Sequence, residues 1–347
     1  MNVKNPTRLK WMFGILLLAA LACQNTSTTP SATATPAGTS TQSTVPSGPP
    51  TQDPNAPVDM PVKRLDQAGD INSSNMATKK GVSGGDVFVQ GLYERPFNAN
   101  TMDTYFPYID IIDTQGFKND TWGYATITLA GTDKNGALSA QYAVELDLNK
   151  DGRGDWLIRA SNPTSTSWST LGVQAWKDAN GDVGGSIPVV ADQNTGAGDG
   201  YETLVFDEGK GSLTDGAWAR TSPGDPKTVQ IAFKLSMLGN PASYAMGAWA
   251  GTKIDPAIFD MNDHMTHIQA GSANQGDGVY PIKALAEIDN TCRLAIGFVP
   301  NGSEPGLCKN IVPSNGQPAL AACPQPASSC YPYNQKPYPN CSCDIPK

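Results

Sequence analysis

Histidine is nearly missing from this chain: 347 residues hold only two, and charged side chains make up 16% of the total. So few imidazoles argue against zinc-type centres. Cysteine is absent between Cys23 and Cys292, and no CxxC spacing occurs, which removes zinc ribbons and thioredoxin-like sites. The sequence also lacks a P-loop, a GxGxxG fingerprint and an HExxH pair. Positive charge is scarce too, with 24 Lys and Arg against 32 Asp and Glu, a formal charge of -8. Without a basic footprint, DNA and RNA are not expected partners.

What is abundant is turn chemistry. Thirty-five glycines and 28 prolines accompany 39% apolar residues, a balance that favours short strands and many turns over long helices.

The N-terminus reads as a targeting segment. Lys4, Arg8 and Lys10 precede the apolar run Trp11 to Leu21, and Ala20-Leu21-Ala22-Cys23 closes it with small residues ahead of a cysteine. That run is too short to span a bilayer. The pattern resembles a bacterial lipoprotein signal, which implies cleavage after residue 22, lipidation of Cys23 and attachment to the outer face of the cell envelope through that lipid. Gln24 resembles the outer-surface variant of the signal, whereas Ala20 stands where the class usually has Leu. Residues 23–58 are almost entirely Ser, Thr, Pro, Ala, Gly and Gln, with nothing to bury. As a flexible coil this tether reaches roughly 30–35 Å.

After a poorly patterned lead-in, residues 59–85, the character changes. Val87 to Tyr93, Trp122 to Leu129, Tyr142 to Leu146, Trp156 to Ile158, Val173 to Trp176, Glu202 to Phe206, Val229 to Leu235 and Tyr244 to Trp249 are short and rich in β-branched and aromatic residues, and Gly, Asp, Asn and Pro clusters separate them. This predicts an all-β domain at 86–300, a β-sandwich or jelly roll with long loops. Short helical pieces are expected only at Ser236 to Leu238 and at Ile282 to Ile288.

Oxygen-bearing side chains recur at alternate positions in Asp147-Leu148-Asn149-Lys150-Asp151-Gly152-Arg153-Gly154-Asp155. Such spacing on a tight glycine turn suits a hard cation that wants six to eight oxygens. Ile158 replaces the bidentate Glu of an EF-hand, and the flanks read as strands, so the expectation is a structural Ca2+ in a hairpin loop. Asp178, Asn180 and Asp182 form a second copy, and Asp192, Asn194 and Asp199 a looser third. Turn-forming habit alone gives the same residues. His264 and His267 stand three positions apart among carboxylates, where local hydrogen bonding is the expected role.

Six cysteines follow position 290: Cys292, Cys308, Cys323, Cys330, Cys341 and Cys343. An even number in an exported chain implies three disulfides and a small stapled tail over 301–347, with Cys292–Cys308 the favoured pair. Trp168 and Trp218 lie in polar surroundings and are the candidate platform for a sugar ring; Trp122, Trp156, Trp176 and Trp249 sit in strand-like runs and are assigned to the core.

The order Glu94-Arg95-Pro96, then Tyr142 to Asp147 running into the DxNxDG loop, then Val229 to Gly239 followed by Tyr244 to Trp249, is similar to the family 9 carbohydrate-binding modules and the related DOMON sandwiches, over about residues 86–252. The resemblance implies a calcium-bearing sandwich that binds sugars or, in some DOMON members, haem, for which His264, His267 and scattered Met offer no convincing axial pair. Three functions stay open at this point. They are a tethered, non-catalytic module for extracellular carbohydrate, a structural or adhesive envelope protein, and a glycoside hydrolase whose acidic pair would come from residues such as Glu94, Asp103, Glu145 and Glu202.

Overall fold

The computed structural model describes residues 53–58, 60–184, 200–211, 213–259 and 261–308. Cys23, most of the tether, the third Asp/Asn loop and Cys323, Cys330, Cys341 and Cys343 lie outside them.

Two antiparallel sheets face each other. The first runs β1 (Asp66–Gly69), β3 (Ile111–Lys118), β4 (Trp122–Leu129), β10 (Asp225–Lys234), β9 (Ala217–Ser222). The second runs β2 (Glu94–Arg95), β12 (Ile288–Asn290), β11 (Tyr244–Gly251), β5 (Gln141–Asp147), β6 (Trp156–Ser161), β7 (Val173–Lys177), β8 (Thr203–Asp207), with β13 (Leu294–Ile296) also on β11. The all-β sandwich read from the pattern is what the chain forms, and its first strand comes from the lead-in.

Alternation explains the layering, because successive side chains of a strand point to opposite faces. Ala125, Ile127 and Leu129 of β4, Tyr142, Val144 and Leu146 of β5, Val229, Ile231 and Phe233 of β10 and Tyr244, Met246 and Ala248 of β11 fill the space between the sheets, together with Trp156. The other faces are covered as well. Ala143, Leu157 and Trp249 lie under the irregular stretch that carries Ile254, Phe259, Met261 and Leu285. Trp122, Tyr124, Trp168, Trp218, Phe117 and Ala232 form a separate aromatic cluster on the far side of the five-stranded sheet. Of the tryptophans assigned to the core, only Trp156 packs between the sheets.

Two local expectations need correction. Val87 to Tyr93 is not a strand: a single 3-10 turn, Phe88–Gln90, ends on Gly91 at φ 67°, with Val87 bridging Leu92 across it. Residues 282–287 are not helical either, since Lys283 and Ala284 donate their N–H groups to the carbonyls of Ala270 and Gln269, and Glu287 donates to Phe97. Those long-range bonds satisfy the backbone that a helix would have used. The helical turn at Leu235–Leu238 does form, and a four-residue helix, α1 (His267–Ala270), appears with a Thr266/Gln269 capping box.

Candidate metal centre

Three carboxylates converge at one edge of the sandwich and a fourth, Asp110, lies beside them, two from each sheet. Asp70 directly follows β1 and Asp110 directly precedes β3 on the five-stranded sheet, while Glu94 opens β2 and Asp289 sits opposite it in β12 on the other. Asp70, Glu94 and Asp289 each offer an oxygen within 4.8 Å of the others. Like charges placed directly across a strand pair repel, and here Asp110 is added to them. Three of the four are enclosed by protein, with Glu94 1% exposed and Asp110 and Asp289 wholly buried, while Asp70 is half-buried.

Each carboxylate is steered by one hydrogen bond or more. Asp70 accepts from the Ile71 N–H at 2.8 Å, and Asp289 from the Ile111 N–H at 2.6 Å, a bond that itself crosses between the sheets. Asp110 accepts from the Ser73 N–H at 2.9 Å and the Tyr105 hydroxyl at 2.5 Å, and Glu94 from the Ser73 hydroxyl at 2.6 Å. Three oxygens are left over: Oδ2 of Asp70, Oδ1 of Asp110 and Oδ1 of Asp289 are buried and have no hydrogen-bond partner. Gly85 closes one side at φ +88°, where a Cβ would lie 3.2 Å from Oε2 of Glu94.

No basic side chain answers these charges through the neighbouring strand position. Arg95 points to the opposite face, paired with Asp86 at 2.7 Å and donating to the carbonyls of Ala270 and Leu285. Burial, followed by repulsion from Asp110, pushes Asp70 up to about 7. Burial likewise raises Asp110 to about 6. Glu94 and Asp289 are pushed well above the ordinary carboxylate range by burial and then by the other acids of the group. Uncompensated buried charge is expensive, and a metal ion seated among the free oxygens removes the cost. The acidic cluster can therefore hold a metal ion, and every donor in it is a carboxylate oxygen.

A second acidic group joins two of the expected ligands to a third residue. Oxygens of Asp178, Asp182 and Glu202 lie within 4.8 Å of one another. The Asp178 carboxylate also accepts from the N–H groups of Asn180, Gly181 and Val183, Asn180 Oδ1 accepts from the Asp182 N–H, and Glu202 accepts from the Ala179 N–H. Here the donors are more exposed and the turn itself uses several of them.

The Asp147 loop has a different arrangement. Gly152, at φ +92°, donates to Asp147 Oδ2 at 2.8 Å and Lys150 donates to Oδ1 at 2.6 Å, while Asp155 closes the hairpin by accepting from the Leu148 N–H at 2.6 Å. Asn149 and Asp151 stay at the exposed tip, where Asn149 donates to Asp151 at 3.1 Å. Asp147 turns inward instead, with Nη1 of Arg293 at 3.7 Å, and the same guanidinium meets Glu145 at 3.0 Å. Asp147, Asp151 and Asp155 do not converge as the two groups above do.

Arg293 arrives there because its neighbour is stapled. The expected Cys292–Cys308 disulfide is formed, and the backbone of Arg293 bonds to Gly306 and Cys308 inside the closed loop.

The remaining candidates are placed as follows. Trp168 and Trp218 share the aromatic cluster on the outer face and are 9% and 4% exposed, beneath Ala56 and Met60. His267 stacks on Phe88 at 5.1 Å and lies 3.7 Å from Asp277. Among the acids considered for hydrolysis, Glu94 belongs to the buried centre, Glu202 to the second group and Glu145 to the arginine pair, while Asp103 is exposed. Gly81-Val82-Ser83-Gly84-Gly85 has GxSxG spacing, but it lies in a loop without the strand-to-helix turn that a nucleophile elbow requires.

Asp70, Asp110 and Asp289 were missed as candidates because they stand some 220 positions apart and belong to no motif. A usable signal did exist, an acid embedded between isoleucines in Ile109-Asp110-Ile111 and directly after one in Ile288-Asp289. Comparison with protein-family models, curated proteins and solved structures finds no match for this chain. The two-sheet fold alone agrees with what the sequence resemblance implied. Among the described residues no helix is long and apolar enough to cross a membrane, and the disulfide is consistent with an oxidising, extracellular setting.

Proposed function

We propose that this chain is an exported β-sandwich module, held at the cell surface by a lipid on Cys23, which binds Ca2+ at Asp70, Glu94, Asp110 and Asp289. The observation that carries the reading is the set of three partnerless carboxylate oxygens buried at the junction of the two sheets. Calcium suits it better than magnesium, because a buried all-carboxylate cage leaves little room for the waters that magnesium retains. With two ligands from each sheet, the ion acts as a clasp between the layers. Catalysis by the same acids is a weaker reading, since Glu94, Asp110 and Asp289 are closed to anything larger than an ion. Calorimetric titration of calcium into the chelated mature protein tests the assignment. One tight site lost in Asp289→Asn supports it, and heat that is unchanged in that variant removes it.

For the ligand, we assign extracellular carbohydrate to the aromatic face of the five-stranded sheet. Trp122, Trp168 and Trp218 lie together there, Arg220 rests 4.3 Å over Trp168, and the Trp168 indole N–H is buried without a hydrogen-bond acceptor. Rings flanked by polar groups are what a sugar requires, its C–H face stacking and its hydroxyls bonding at the rim. Binding of soluble glycans to the purified protein, screened with and without calcium, decides this. Silence across a broad panel favours the structural or adhesive alternative.

A further inference from the structure

The chain between Met60 and Asp70 joins the two sites just described. Met60, with Ala56 before it, packs on the aromatic cluster of Phe117, Trp122, Tyr124, Trp168 and Trp218. From there Leu65 donates its N–H to Gly116, and Asp66–Gly69 pair with Gly116 to Asp113 as the edge strand β1. The next residue is Asp70, whose carboxylate enters the acidic centre.

Resting on the calcium assignment, we propose that residues 60–70 are a strap latched at Asp70 by the cation, covering the aromatic face while the ion is bound and lifting from it when the ion leaves.

The hold of the strap on the body is short. Strand β1 has four residues and one neighbour, β3, so its ladder is brief and frays from either end. Side-chain support comes from Asp66, which accepts the Ala295 N–H at 2.7 Å, from Gln67, which donates to Asp113 at 2.5 Å, and from Ala68, which packs against the core between the sheets. At the lower end the ties are Asp70 and, three residues on, buried Ser73, which bonds to Asp110 and Glu94. Asp70 donates its N–H to Ile112 at 3.0 Å, but its side chain is set against Glu94 and Asp289. With calcium present these acids share one counter-ion and pull Asp70 inward. Without it the same proximity is repulsive, and the tie at Asp70 becomes the weakest point of the strap. The covering segment is only partly sunk, with Pro57 buried between half-buried Ala56 and exposed Val58. Met60 is half-buried too, and Val58 adds one 3.4 Å carbonyl contact to the Tyr124 hydroxyl. Under them lies the face that has been assigned to a ligand, so cation loading and access to the rings are set in opposition.

Hydrogen exchange on the full mature chain tests the latch, with calcium or EGTA as the only variable. At about ten times the dissociation constant the amides of residues 65–70 should exchange roughly tenfold more slowly than in EGTA, since the closed population scales with one plus the ratio of ligand to its constant. Acrylamide should quench tryptophan fluorescence more strongly in EGTA, as Trp122, Trp168 and Trp218 become accessible. Asp289→Asn keeps every strap residue and removes a ligand from the opposite sheet, so strap exchange and quenching should no longer respond to calcium. Calcium binding without any change in strap exchange or quenching overturns the latch and leaves the metal centre standing. Absence of calcium binding overturns both.

Discussion

Chelation should lower the unfolding midpoint of this protein, and the structure sets the size of the effect. An ion that binds only the folded state stabilises by about 2.7 kcal/mol at a hundred times its dissociation constant. Extracellular calcium modules bind at roughly 10⁻⁴–10⁻³ M, and three converging carboxylates with Asp110 beside them argue for the tighter end. For a body of this size each kcal/mol moves the midpoint about 2–4 °C. Differential scanning calorimetry in about 10 mM calcium against EGTA should therefore differ by about 5–11 °C. Asp289→Asn makes the reasoning sharper. The amide keeps the shape and still can accept from Ile111, but it removes one of the mutually repelling charges. In EGTA the variant should match or exceed the parent, and in calcium most of the gain should vanish. Equal midpoints with and without calcium in the parent would refute the argument, as would a variant destabilised equally in both conditions.

Other expectations concern pH and the arginine pair. In EGTA, stability should fall as pH rises from about 4 to about 7, because Asp70, pushed up to about 7, and Asp110, pushed up to about 6, hold protons in the folded state that the unfolded chain releases earlier. Burial is the main cause for both, so that stabilisation is fully present below their ordinary values and is lost through the raised ones; the loss is on the order of several kcal/mol. Thermal scans across that range should show it, and saturating calcium should flatten the profile. Arg293→Ala leaves Glu145 and Asp147 buried without their cation and should cost about 3–5 kcal/mol in urea unfolding, against little change in calcium affinity at the four-carboxylate centre. Replacing Cys292 and Cys308 together by Ser should cost roughly 3 kcal/mol, as expected for a closed loop of that length, and weaken the same ion pair.

Strands rich in β-branched and aromatic residues were legible in the sequence. Trp122 to Leu129 is a strand with the expected bounds, and the expected runs Tyr142 to Leu146 and Tyr244 to Trp249 lie within Gln141–Asp147 and Tyr244–Gly251. Strand β3 was not legible, because Asp113, Thr114, Gln115 and Gly116 dilute the apolar signal, and β1, Asp-Gln-Ala-Gly, has none to offer. Both exist through pairing with neighbours already in place, a tertiary effect outweighing local preference. The site divides in the same way. A motif of contiguous residues announced the Asp147 loop, yet the guanidinium that meets Asp147 comes from Arg293, fixed by a disulfide that the sequence did suggest. The buried centre is assembled from four places in the chain by strand pairing across two sheets, and no local spacing records that.

The most direct measurement of the central claim is anomalous diffraction from crystals of the mature protein grown in calcium. The account predicts a peak bounded by Asp70, Glu94, Asp110 and Asp289, with carboxylate oxygens at about 2.3–2.6 Å. A refined structure with no peak there, and with those side chains hydrogen-bonded to one another through shared protons, would contradict it.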